Sequence, residues 1–328
     1  MNNDSFRDAN VLITGGLGFI GSNLAHSLAS LGARVTLADS LVPEYGGNLF
    51  NISGLEDRVC VNISDVRDVH SMRYLIQRQD FLFNLAGQTS HIDSMQDPYT
   101  DLDINCRAQL SILEACRTHN PYVRIVFAST RQIYGKADYL PVNEVQLLKP
   151  LDVNGIHKMA GELYHTVYHN VFGIRTCALR LTNTYGPRMR VKDARQTFLG
   201  LWIRLLIEAR PFEVWDGKQL RDFTYVDDAV EALLLTASSD AAVGRVFNLG
   251  GDSVVSLKRL ADLLIEINGG GQYVSCDFPV DRKRIDIGDF YADYGCIRST
   301  LGWQPKTPLG EGLKRTLAFY REHLDQYV

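Results

Sequence analysis

Four glycines near the start of the chain have the spacing of a phosphate-binding turn. Residues 11–14 form a short aliphatic run typical of a strand, and residues 19–31 have the apolar periodicity of a helix. The glycines between and within these runs are Gly15, Gly16, Gly18 and Gly21. Such glycines allow a tight turn and a close approach of the backbone to a pyrophosphate. The pattern therefore predicts a dinucleotide site in which N–H groups at the helix start face the phosphates.

An acidic residue at the end of the next predicted strand supports this interpretation. The strand covers residues 33–39 and ends in Asp39. A carboxylate about 20 residues after the glycine turn can accept hydrogen bonds from the adenosine ribose hydroxyls. A 2′-phosphate would meet a like charge there, so Asp39 favours NAD over NADP. Arg34, which is close in sequence, leaves that preference open.

Length and charge narrow the classes of partner. The 328 residues suffice for one large α/β domain with a smaller one attached, and a formal net charge of −4 gives no attraction to nucleic acid or an anionic membrane. Residues 1–9 lack the apolar core of a signal peptide, and no apolar run approaches the roughly 20 residues of a membrane span. The six cysteines are scattered, without a CxxC pair or metal-ligand spacing. We expect a cytoplasmic protein with reduced thiols, a small ligand and no metal.

Alternating strand and helix patterns fill the first half of the chain. Further strands are predicted at 58–62, 80–85, 123–128 and 173–181, and helices at about 66–78, 98–118 and 154–171. This order predicts an α/β fold with a doubly wound parallel sheet of the Rossmann type. Ligands of such sheets bind outside the carboxyl ends of the strands, so the turns after the strands should carry the chemistry.

The second half is less regular. Helices are predicted near 196–209, 226–237 and 256–267, with short apolar runs between them. We assign residues 1–181 to the dinucleotide-binding domain. Residues 182–328 are assigned mainly to a smaller α/β substrate-binding lobe, with some segments returning to the main sheet. Asp227 and Asp228 are expected to cap the helix that follows them.

Several motifs resemble those of one enzyme family and occur in the same order. They are TGGLGFIGS at 14–22, DV at 65–66, NLAGQ at 84–88, STRQIYG at 129–135, LTNTYGPR at 181–188, QLRDFTYVDD at 219–228 and YADYGCIRSTLGWQP at 291–305. Together with Asp39 they are similar to the extended short-chain dehydrogenase/reductase family that modifies nucleotide sugars, above all to its UDP-glucose 4-epimerase-like members. The resemblance covers nearly the whole chain.

The resemblance and the glycine turn together assign the cofactor contacts. NAD is expected to lie against Gly15, Gly18, Phe19, Ile20, Gly21, Asp39, Ser40, Asp65, Val66, Leu85, Ala86, Gly87 and Lys158.

The resemblance also assigns catalytic positions, with one departure. It implies that a Ser or Thr after the fifth strand bonds the reacting hydroxyl of the sugar, and that a Tyr, with a Lys four residues later, transfers the proton. Thr130 stands at the Ser/Thr position and Lys158 at the lysine position, but Asn154 replaces the tyrosine. Residues 154 and 158 share one helical face. An amide cannot exchange the proton that a phenol can, so Asn154 is left to orient a water or the substrate hydroxyl.

Another group must then act as the base. Histidine titrates in the useful range, and two histidines are candidates, His157 beside the predicted lysine and His91 in the loop that follows NLAGQ. Tyr134 is a third candidate.

The substrate contacts come from the same resemblance. Arg131 and Gln132 stand where the 4,6-dehydratase branch has its Asp–Glu pair, so the usual dehydration is not expected, and Arg131 suggests an anionic or hydroxyl-rich group on the substrate. Arginine can donate two parallel bonds to a phosphate. The remaining substrate contacts are His91, Asn183, Arg221 and Asp286, the last with a neighbouring Arg282 or Arg284.

These features predict an NAD-dependent nucleotide-sugar epimerase, acting at C4 of a UDP-sugar through a transient keto-sugar. The alternatives are CDP-sugar 2-epimerisation, UDP-uronate decarboxylation and an atypical dehydration. An alternative of another class is a non-catalytic protein that binds NAD and a nucleotide sugar, which Asn154 alone supports. The resemblance also implies a homodimer in which helices 98–118 and 154–171 form a four-helix bundle.

Overall fold

Most strands of the chain pair in parallel in the computed structural model, which describes residues 3–328. In chain order they are β1 (Asn10–Thr14), β2 (Arg34–Asp39), β3 (Val59–Ile63), β4 (Phe81–Asn84), β5 (Arg124–Thr130), β6 (Arg175–Leu181), β7 (Asn183–Tyr185), β8 (Phe212–Trp215), β9 (Leu220–Tyr225), β10 (Val246–Asn248), β11 (Val254–Ser256) and β12 (Tyr273–Cys276). Seven of them form a parallel sheet in the order β10-β6-β5-β4-β1-β2-β3. The predicted doubly wound α/β fold is confirmed.

The order of the strands reverses between β3 and β4. Strands β1 to β3 extend toward one edge of the sheet, and β4 to β6 extend toward the other. β1 and β4 are direct neighbours, with Val11 paired to Phe81. A crevice therefore opens between the carboxyl ends of these two strands, next to the glycine turn that follows β1.

The helices connect the strands and cover the sheet. They are α1 (Phe19–Ser30), α2 (Val69–Leu75), α3 (His91–Gln96), α4 (Pro98–Leu102), α5 (Ala108–His119), α6 (Val153–Phe172), α7 (Phe198–Ile207), α8 (Val226–Ser238), α9 (Leu257–Asn268), α10 (Val280–Lys283), α11 (Gly295–Leu301) and α12 (Leu309–His323). α1 and α8 pack together on one face, and α5 packs against α2 and α6 on the other. Two hydrophobic cores lie on opposite faces of the sheet, one containing residues of α1 and α8 and the other residues of α2 and α5. Along β1, Val11 and Ile13 belong to the former core and Leu12 to the latter, as the alternation of side chains along a strand requires.

The structure differs from the predicted helices at three places. The helix predicted from residue 66 begins at Val69, because Asp68 caps it by accepting the N–H of His70 at 3.0 Å. The helix predicted over 98–118 is divided into α4 and α5 by a π-helical turn at Asp103–Arg107. α3 was predicted as loop, and it forms because Ser90 Oγ accepts the N–H of Asp93 at 3.1 Å.

The second half contributes two small sheets and one strand of the main sheet. β9 pairs with β7 in parallel and with β11 antiparallel, and β8 pairs with β12. β10 leaves this half and pairs with β6. The capping predicted for Asp227 and Asp228 is wrong: Tyr225 is the N-cap of α8, and the Asp228 carboxylate instead accepts the N–H of Thr307 at 3.0 Å.

Two findings concern the described residues as a whole. None of their helices combines the length and the apolar character that crossing a membrane requires. The six cysteines are free, and residues 3–328 contain no group of three or more His, Cys, Asp or Glu side chains suited to a metal ion.

Candidate active site

A cleft of about 1040 Å³ opens at the carboxyl ends of the main-sheet strands. Twenty of the residues predicted for catalysis, cofactor or substrate line it. They are Gly15, Gly18, Phe19, Ile20, Gly21, Asp39, Ser40, Asp65, Val66, Leu85, Ala86, Gly87, His91, Thr130, Arg131, Asn154, Lys158, Asn183, Arg221 and Asp286. The structure thus brings these residues together, while their individual roles stay predictions.

The glycine turn has the geometry of a phosphate cradle. Gly15 has a φ of +69°, a left-handed conformation that glycine adopts at little cost. A side chain at Gly21 would overlap the carbonyl group of Gly15, so glycine is needed for α1 to approach the turn. Gly18 is the N-cap of α1, and no side chain caps that end. The first N–H groups of α1 are therefore available to a pyrophosphate.

The two carboxylates predicted near the adenosine differ in their surroundings. Asp39 accepts the N–H of Leu17 at 2.9 Å and that of Leu41 at 2.8 Å. Burial raises the pKa of Asp39, although both bonds oppose the shift, and each oxygen keeps a lone pair for a ribose hydroxyl. Asp65 is instead held by the guanidinium of Arg67 at 2.6 Å, which lowers the pKa of Asp65.

A threonine fixes the turn after β4. Thr14 Oγ1 donates to Asn84 Oδ1 at 2.9 Å and accepts the N–H groups of Leu85 and Ala86 at 3.1 and 3.2 Å. A side chain at Gly87 would lie 2.9 Å from Asn105 Oδ1. The backbone at 85–87 is therefore held in place beside the glycine turn.

Thr130 ends β5 and lines the cleft. Its Oγ1 accepts the N–H of Gln132 at 3.2 Å. Because that bond uses a lone pair, the hydroxyl hydrogen of Thr130 is free to be donated to a ligand oxygen.

Lys158 lies on α6 next to the end of β5. Its Nζ donates to the carbonyl of Ala128 at 2.5 Å and sits 4.4 Å from the centre of the Phe127 ring. Burial lowers the pKa of Lys158 to about 8, and the carboxylates of Asp101 and Glu162 oppose that shift. The site thus holds a lysine whose charge changes close to neutral pH.

Asn154 is fixed by acceptors on its buried side. Its Nδ2 donates to the carbonyl of Gln88 at 2.8 Å and to Asp101 Oδ2 at 3.0 Å. Since both partners are acceptors, the amide nitrogen must face them, and Oδ1 is left as the polar atom for the cleft. Position 154 therefore offers a ligand a hydrogen-bond acceptor and no titratable group.

Two of the candidate bases lie away from the cleft. Tyr134 is fully buried, with its hydroxyl donating to Asn248 Oδ1 at 2.8 Å and accepting from Arg180 at 2.5 Å. Burial raises the pKa of Tyr134 to about 12. His157 Nδ1 lies 2.7 Å from Asp101 Oδ1, and the ring does not line the cleft. The hypothesis that either residue serves as the base is wrong for reasons of position.

His91 lines the cleft, but as the first residue of α3 and not in a loop. Its Nδ1 lies 3.0 Å from Oδ2 of Asp152, a carboxylate whose side chain is completely buried. Asp152 was not singled out from the sequence. Its position just before the predicted helix marks it as an N-cap, and it does accept the N–H of Gly155 at 2.6 Å.

The two arginines predicted to contact the substrate, Arg221 and Arg131, differ in their hydrogen bonds to other protein groups. Arg221 donates to Asp286 Oδ1 at 3.2 Å and to the carbonyl of Gly288. Arg131 has a buried Nε without a partner among the residues described. Burial lowers the pKa of Arg131 to about 9, and the nearby charge of Arg221 adds to the effect. A guanidinium with a buried, unpartnered Nε suits an anionic ligand.

The surroundings of the remaining predicted substrate residues are as follows. Asn183 Nδ2 donates to the carbonyl of Asp222 at 2.9 Å. Arg282 lines the cleft, 4.7 Å from the centre of the Trp215 ring, whereas Arg284 lies outside it. Trp215 and Phe278 also line the cleft, with ring centres 5.9 Å apart. Sequence reasoning missed this aromatic pair, for which the only signal was two rings within apolar runs.

The chain is similar along nearly its whole length to proteins named for nucleotide sugars. Residues 11–250 match the NAD dependent epimerase/dehydratase family. The chain is 30% identical over 337 residues to the CDP-paratose 2-epimerase of Salmonella typhi, which covers 93% of this chain and 97% of that protein.

Two solved structures have the same fold. One is the UDP-glucose 4-epimerase of Thermotoga maritima with UDP-glucose, at 29% identity and a TM-score of 0.87, covering 96% of this chain and 99% of the other. The second is the UDP-glucuronic acid 4-epimerase of Bacillus cereus in complex with UDP-glucuronic acid and NAD, at 26% identity and a TM-score of 0.84, covering 95% and 99%.

Proposed function

The chain belongs to the NAD dependent epimerase/dehydratase family, and on that premise we propose that it inverts C4 of a UDP-sugar through a transient 4-keto sugar. This membership confirms the predicted family, the prediction of an enzyme and NAD as the cofactor. The observation that carries the proposal is the convergence of the glycine turn, Thr130 and Lys158 on one cleft.

The residues of the cleft fit the cofactor. When bound, NAD⁺ accepts a hydride from the sugar carbon and returns it to the opposite face. We assign the pyrophosphate to the free N–H groups at the start of α1, the adenosine ribose to Asp39 and the nicotinamide ribose to Lys158. Asp65 and Arg67 would lie beside the adenine, and as an ion pair their charges already cancel.

Three side chains are assigned to the reacting sugar. Thr130 donates its free hydroxyl hydrogen to the sugar oxygen and stabilises the charge that develops there. Asn154 positions a neighbouring hydroxyl through Oδ1, which can only accept. Lys158 supplies positive charge beside the reacting oxygen while its ammonium group is protonated.

The position after Thr130 argues against the usual dehydration. Gln132 is buried and donates to Asp152 Oδ2 at 2.8 Å, so its amide is occupied and has no proton to exchange. Arg131 stays protonated near neutral pH, with a pKa of about 9. Neither side chain can serve as the acid or base of an elimination.

A second candidate function follows from Arg131. Its unpartnered Nε suits a carboxylate on the sugar, which favours a UDP-uronate as substrate, with epimerisation or decarboxylation as the outcome. This candidate shares the oxidation at C4 and differs in the sugar.

We propose a homodimer in the cytoplasm. The outer face of α6 exposes Ile156, Leu163, Val167 and Val171 with 47 to 66% of their surface accessible, and a second copy of the helix would cover this stripe. The six free cysteines suit a reducing compartment. Light scattering should give twice the mass of the chain, and Leu163→Glu should shift it to the monomer. A wild-type monomer would contradict the dimer.

The function is tested with purified protein, NAD⁺ and a panel of UDP-, dTDP-, CDP- and GDP-sugars. We expect one UDP-sugar to yield an isomer of unchanged mass, separated by chromatography and identified by mass spectrometry. Loss of water or CO₂ would show a dehydratase or a decarboxylase instead.

A matched pair of variants ties the result to the cleft. Thr130→Val removes the hydroxyl and keeps the shape, and we expect kcat to fall on the order of 10²- to 10³-fold. Thr166→Val makes the same change on α6 outside the cleft, where Oγ1 donates to the Glu162 carbonyl at 3.2 Å. Its kcat should equal that of the wild type.

A further inference from the structure

The proposed function leaves one proton without a carrier. Oxidation at C4 removes the hydrogen of the C4 hydroxyl as a proton, and the same proton must return when the ketone is reduced. Asn154 cannot carry it, because its Nδ2 is bound to Gln88 and Asp101 and its Oδ1 only accepts. The inference below therefore rests on the proposed function and concerns the group that replaces the missing phenol.

Most titratable side chains around the cleft are already engaged or misplaced. Tyr134 and His157 do not line the cleft. Asp93 lines it but lies 3.6 Å from Arg195, an opposite charge. Lys158 directs Nζ at the Ala128 carbonyl. Each of these four groups is therefore either outside the cleft or already paired within the protein.

His91 is different because one ring nitrogen lies against a carboxylate and the other is open. Nδ1 is buried and lies 3.0 Å from Asp152 Oδ2, but the angle between them does not make a hydrogen bond in the absence of ligand. The side chain is nevertheless 38% exposed and lines the cleft. Nε2 has no hydrogen-bond partner in the described part of the chain and, unlike Nδ1, is not a buried atom, so it is open to a ligand. Catalytic hydrogen bonds are commonly long or misaligned without ligand and tighten in the complex.

Asp152 is built to stay ionised behind this ring. Burial disfavours its charge, but the contact with His91 and the bonds from the Gly155 N–H at 2.6 Å and Gln132 Nε2 at 2.8 Å outweigh it, and the pKa of Asp152 is lowered. As the N-cap of α6 it also meets the positive end of a 20-residue helix. A fixed carboxylate of this kind selects one imidazole tautomer and stabilises the imidazolium.

The pair is joined to the residues assigned to the sugar. Gln132 binds Asp152 through its side chain and Thr130 Oγ1 through its backbone N–H at 3.2 Å. Ser94, on the same short helix as His91, accepts the N–H of Asn154 at 3.2 Å. His91, Thr130 and Asn154 therefore belong to one local network around the reacting position.

We propose that His91, oriented by Asp152, is the acid–base residue of this active site. As the C4–H bond breaks and its electron pair leaves as hydride to NAD⁺, the O–H proton passes to Nε2 of the neutral imidazole and the C=O bond forms. The imidazolium is paired with Asp152. When the hydride returns to the other face, Nε2 gives the proton back to the oxygen, so no proton or electron is gained or lost.

Other charged groups belong to the elements around His91. They are Asp93 on α3, Asp97 on the α3–α4 junction and Asp101 on α4, His157, Lys158 and Glu162 on α6, Arg131 after β5, and Arg195 in the segment bound to Asp93. Among the carboxylates of the described residues, Asp152 is the one with an oxygen within 4.0 Å of a His91 ring nitrogen.

The test compares His91 and His157. Nδ1 of each ring lies next to a buried carboxylate, at 3.0 Å from Asp152 and at 2.7 Å from Asp101. Asparagine can donate from the position of Nδ1 but has nothing at Nε2. We expect His91→Asn to lower kcat on the order of 10²- to 10⁴-fold with little change in the Kd of UDP-glucose measured with NAD⁺ present. His157→Asn makes the identical change at the Asp101 carboxylate, outside the cleft, and should stay within about threefold of wild-type kcat. His91→Gln serves if His91→Asn fails to fold.

The role of Asp152 as a positioning residue has a separate readout. Asp152→Asn keeps an N-cap for α6 and removes the charge behind the imidazole. The acidic limb of the kcat/KM profile should move to lower pH, because the imidazolium loses its counter-charge. A purely structural role of Asp152 would leave the limb in place.

Failure of this inference can be distinguished from failure of the proposed function. If wild-type protein isomerises a UDP-sugar and His91→Asn is equally active, the inference is overturned and the function stands. If the wild type turns over no sugar, the function fails, and ¹⁵N NMR of the His91 ring decides the inference. A shift of the Nε2 resonance on adding UDP-glucose and NAD⁺ supports contact with the sugar, and an unmoved Nε2 resonance overturns it.

Discussion

Two Asp–His pairs flank the first turn of α6, and they differ in what surrounds them. In the Asp101 pair, His157 lies 2.7 Å from Asp101 and its side chain is 13% exposed. In the Asp152 pair, His91 lies 3.0 Å from Asp152 and is 38% exposed. Both carboxylates are completely buried. The same two side-chain types therefore occur once closed and once open to the cleft.

The closed pair is saturated with hydrogen bonds. Asp101 accepts from His157 at one oxygen and from Asn154 and Asn105 at the other, at 3.0 and 3.1 Å. Its charge also supports protonation of Lys158. The open pair leaves one imidazole nitrogen free. We conclude that access, and not composition, separates a structural Asp–His pair from one available for proton transfer.

The largest effect on stability is expected at the closed pair. Asp101→Asn leaves three buried donors facing an amide that cannot accept from all of them, and we expect the free energy of unfolding to fall by about 3–5 kcal/mol. Asp152→Asn, the matched change in the open pair, should cost about 1 kcal/mol. Urea unfolding of both variants measures the two values. Equal losses would mean that the pairs are not structurally different.

The second prediction concerns the charge that Asp101 supports. The pKa of Lys158 is about 8 in the folded protein against its usual 10.5. Between these values the unfolded chain binds a proton that the folded protein has lost, so stability gains from this lysine as pH rises from about 8 to 10.5. Lys158→Met should lack this gain. In Asp101→Asn the gain should begin at lower pH, because the opposing carboxylate is gone.

Urea unfolding at several pH values between about 7.5 and 10 checks this second prediction. Most of this range lies in the window where the folded and unfolded states differ in the number of protons bound. The quantity compared is the difference in free energy of unfolding between wild type and Lys158→Met. A difference that does not change with pH would show that Lys158 keeps its ordinary pKa in the fold.

The smallest effect is expected at the residue that links the open pair to Thr130. Gln132→Met conserves volume and removes the donor to Asp152. We expect a loss of about 1 kcal/mol in stability and a fall in kcat of less than about tenfold, since His91 still contacts the carboxylate. Steady-state kinetics and urea unfolding measure both. A fall as large as that of His91→Asn would place the proton on another route.

The sequence predicts which residues line the glycine-turn side of the cleft, because that side is formed by residues close together in the chain. Strand, glycine turn and helix are contiguous, and Asp39 follows at a fixed distance, so backbone requirements are visible as residue types. The central sheet follows likewise from the alternation of apolar runs. The boundary predicted at residue 181 stays a prediction, although β10 shows that a later segment does join the main sheet.

The side of the cleft that we propose for the sugar is harder to predict because it depends on pairings between distant segments. Residues 91 and 152 lie 61 positions apart, and no periodicity links them. Tyr134 had the right chemistry, but Arg180 and Asn248 bury it. His157 lies 2.7 Å from Asp101, a residue of α4 that is 56 positions away in the chain. Only the fold distinguishes the open histidine from the closed one.

Transfer of the C4 hydrogen to NAD⁺ and back is the central claim, and an isotope label tests it directly. The UDP-sugar that the panel identifies is prepared with deuterium at C4, incubated with enzyme and NAD⁺, and its products are analysed by NMR and mass spectrometry. We predict a C4 epimer that keeps deuterium at C4, without accumulation of NADH. A product that has lost the label to water, or whose inverted carbon is not C4, would contradict the account.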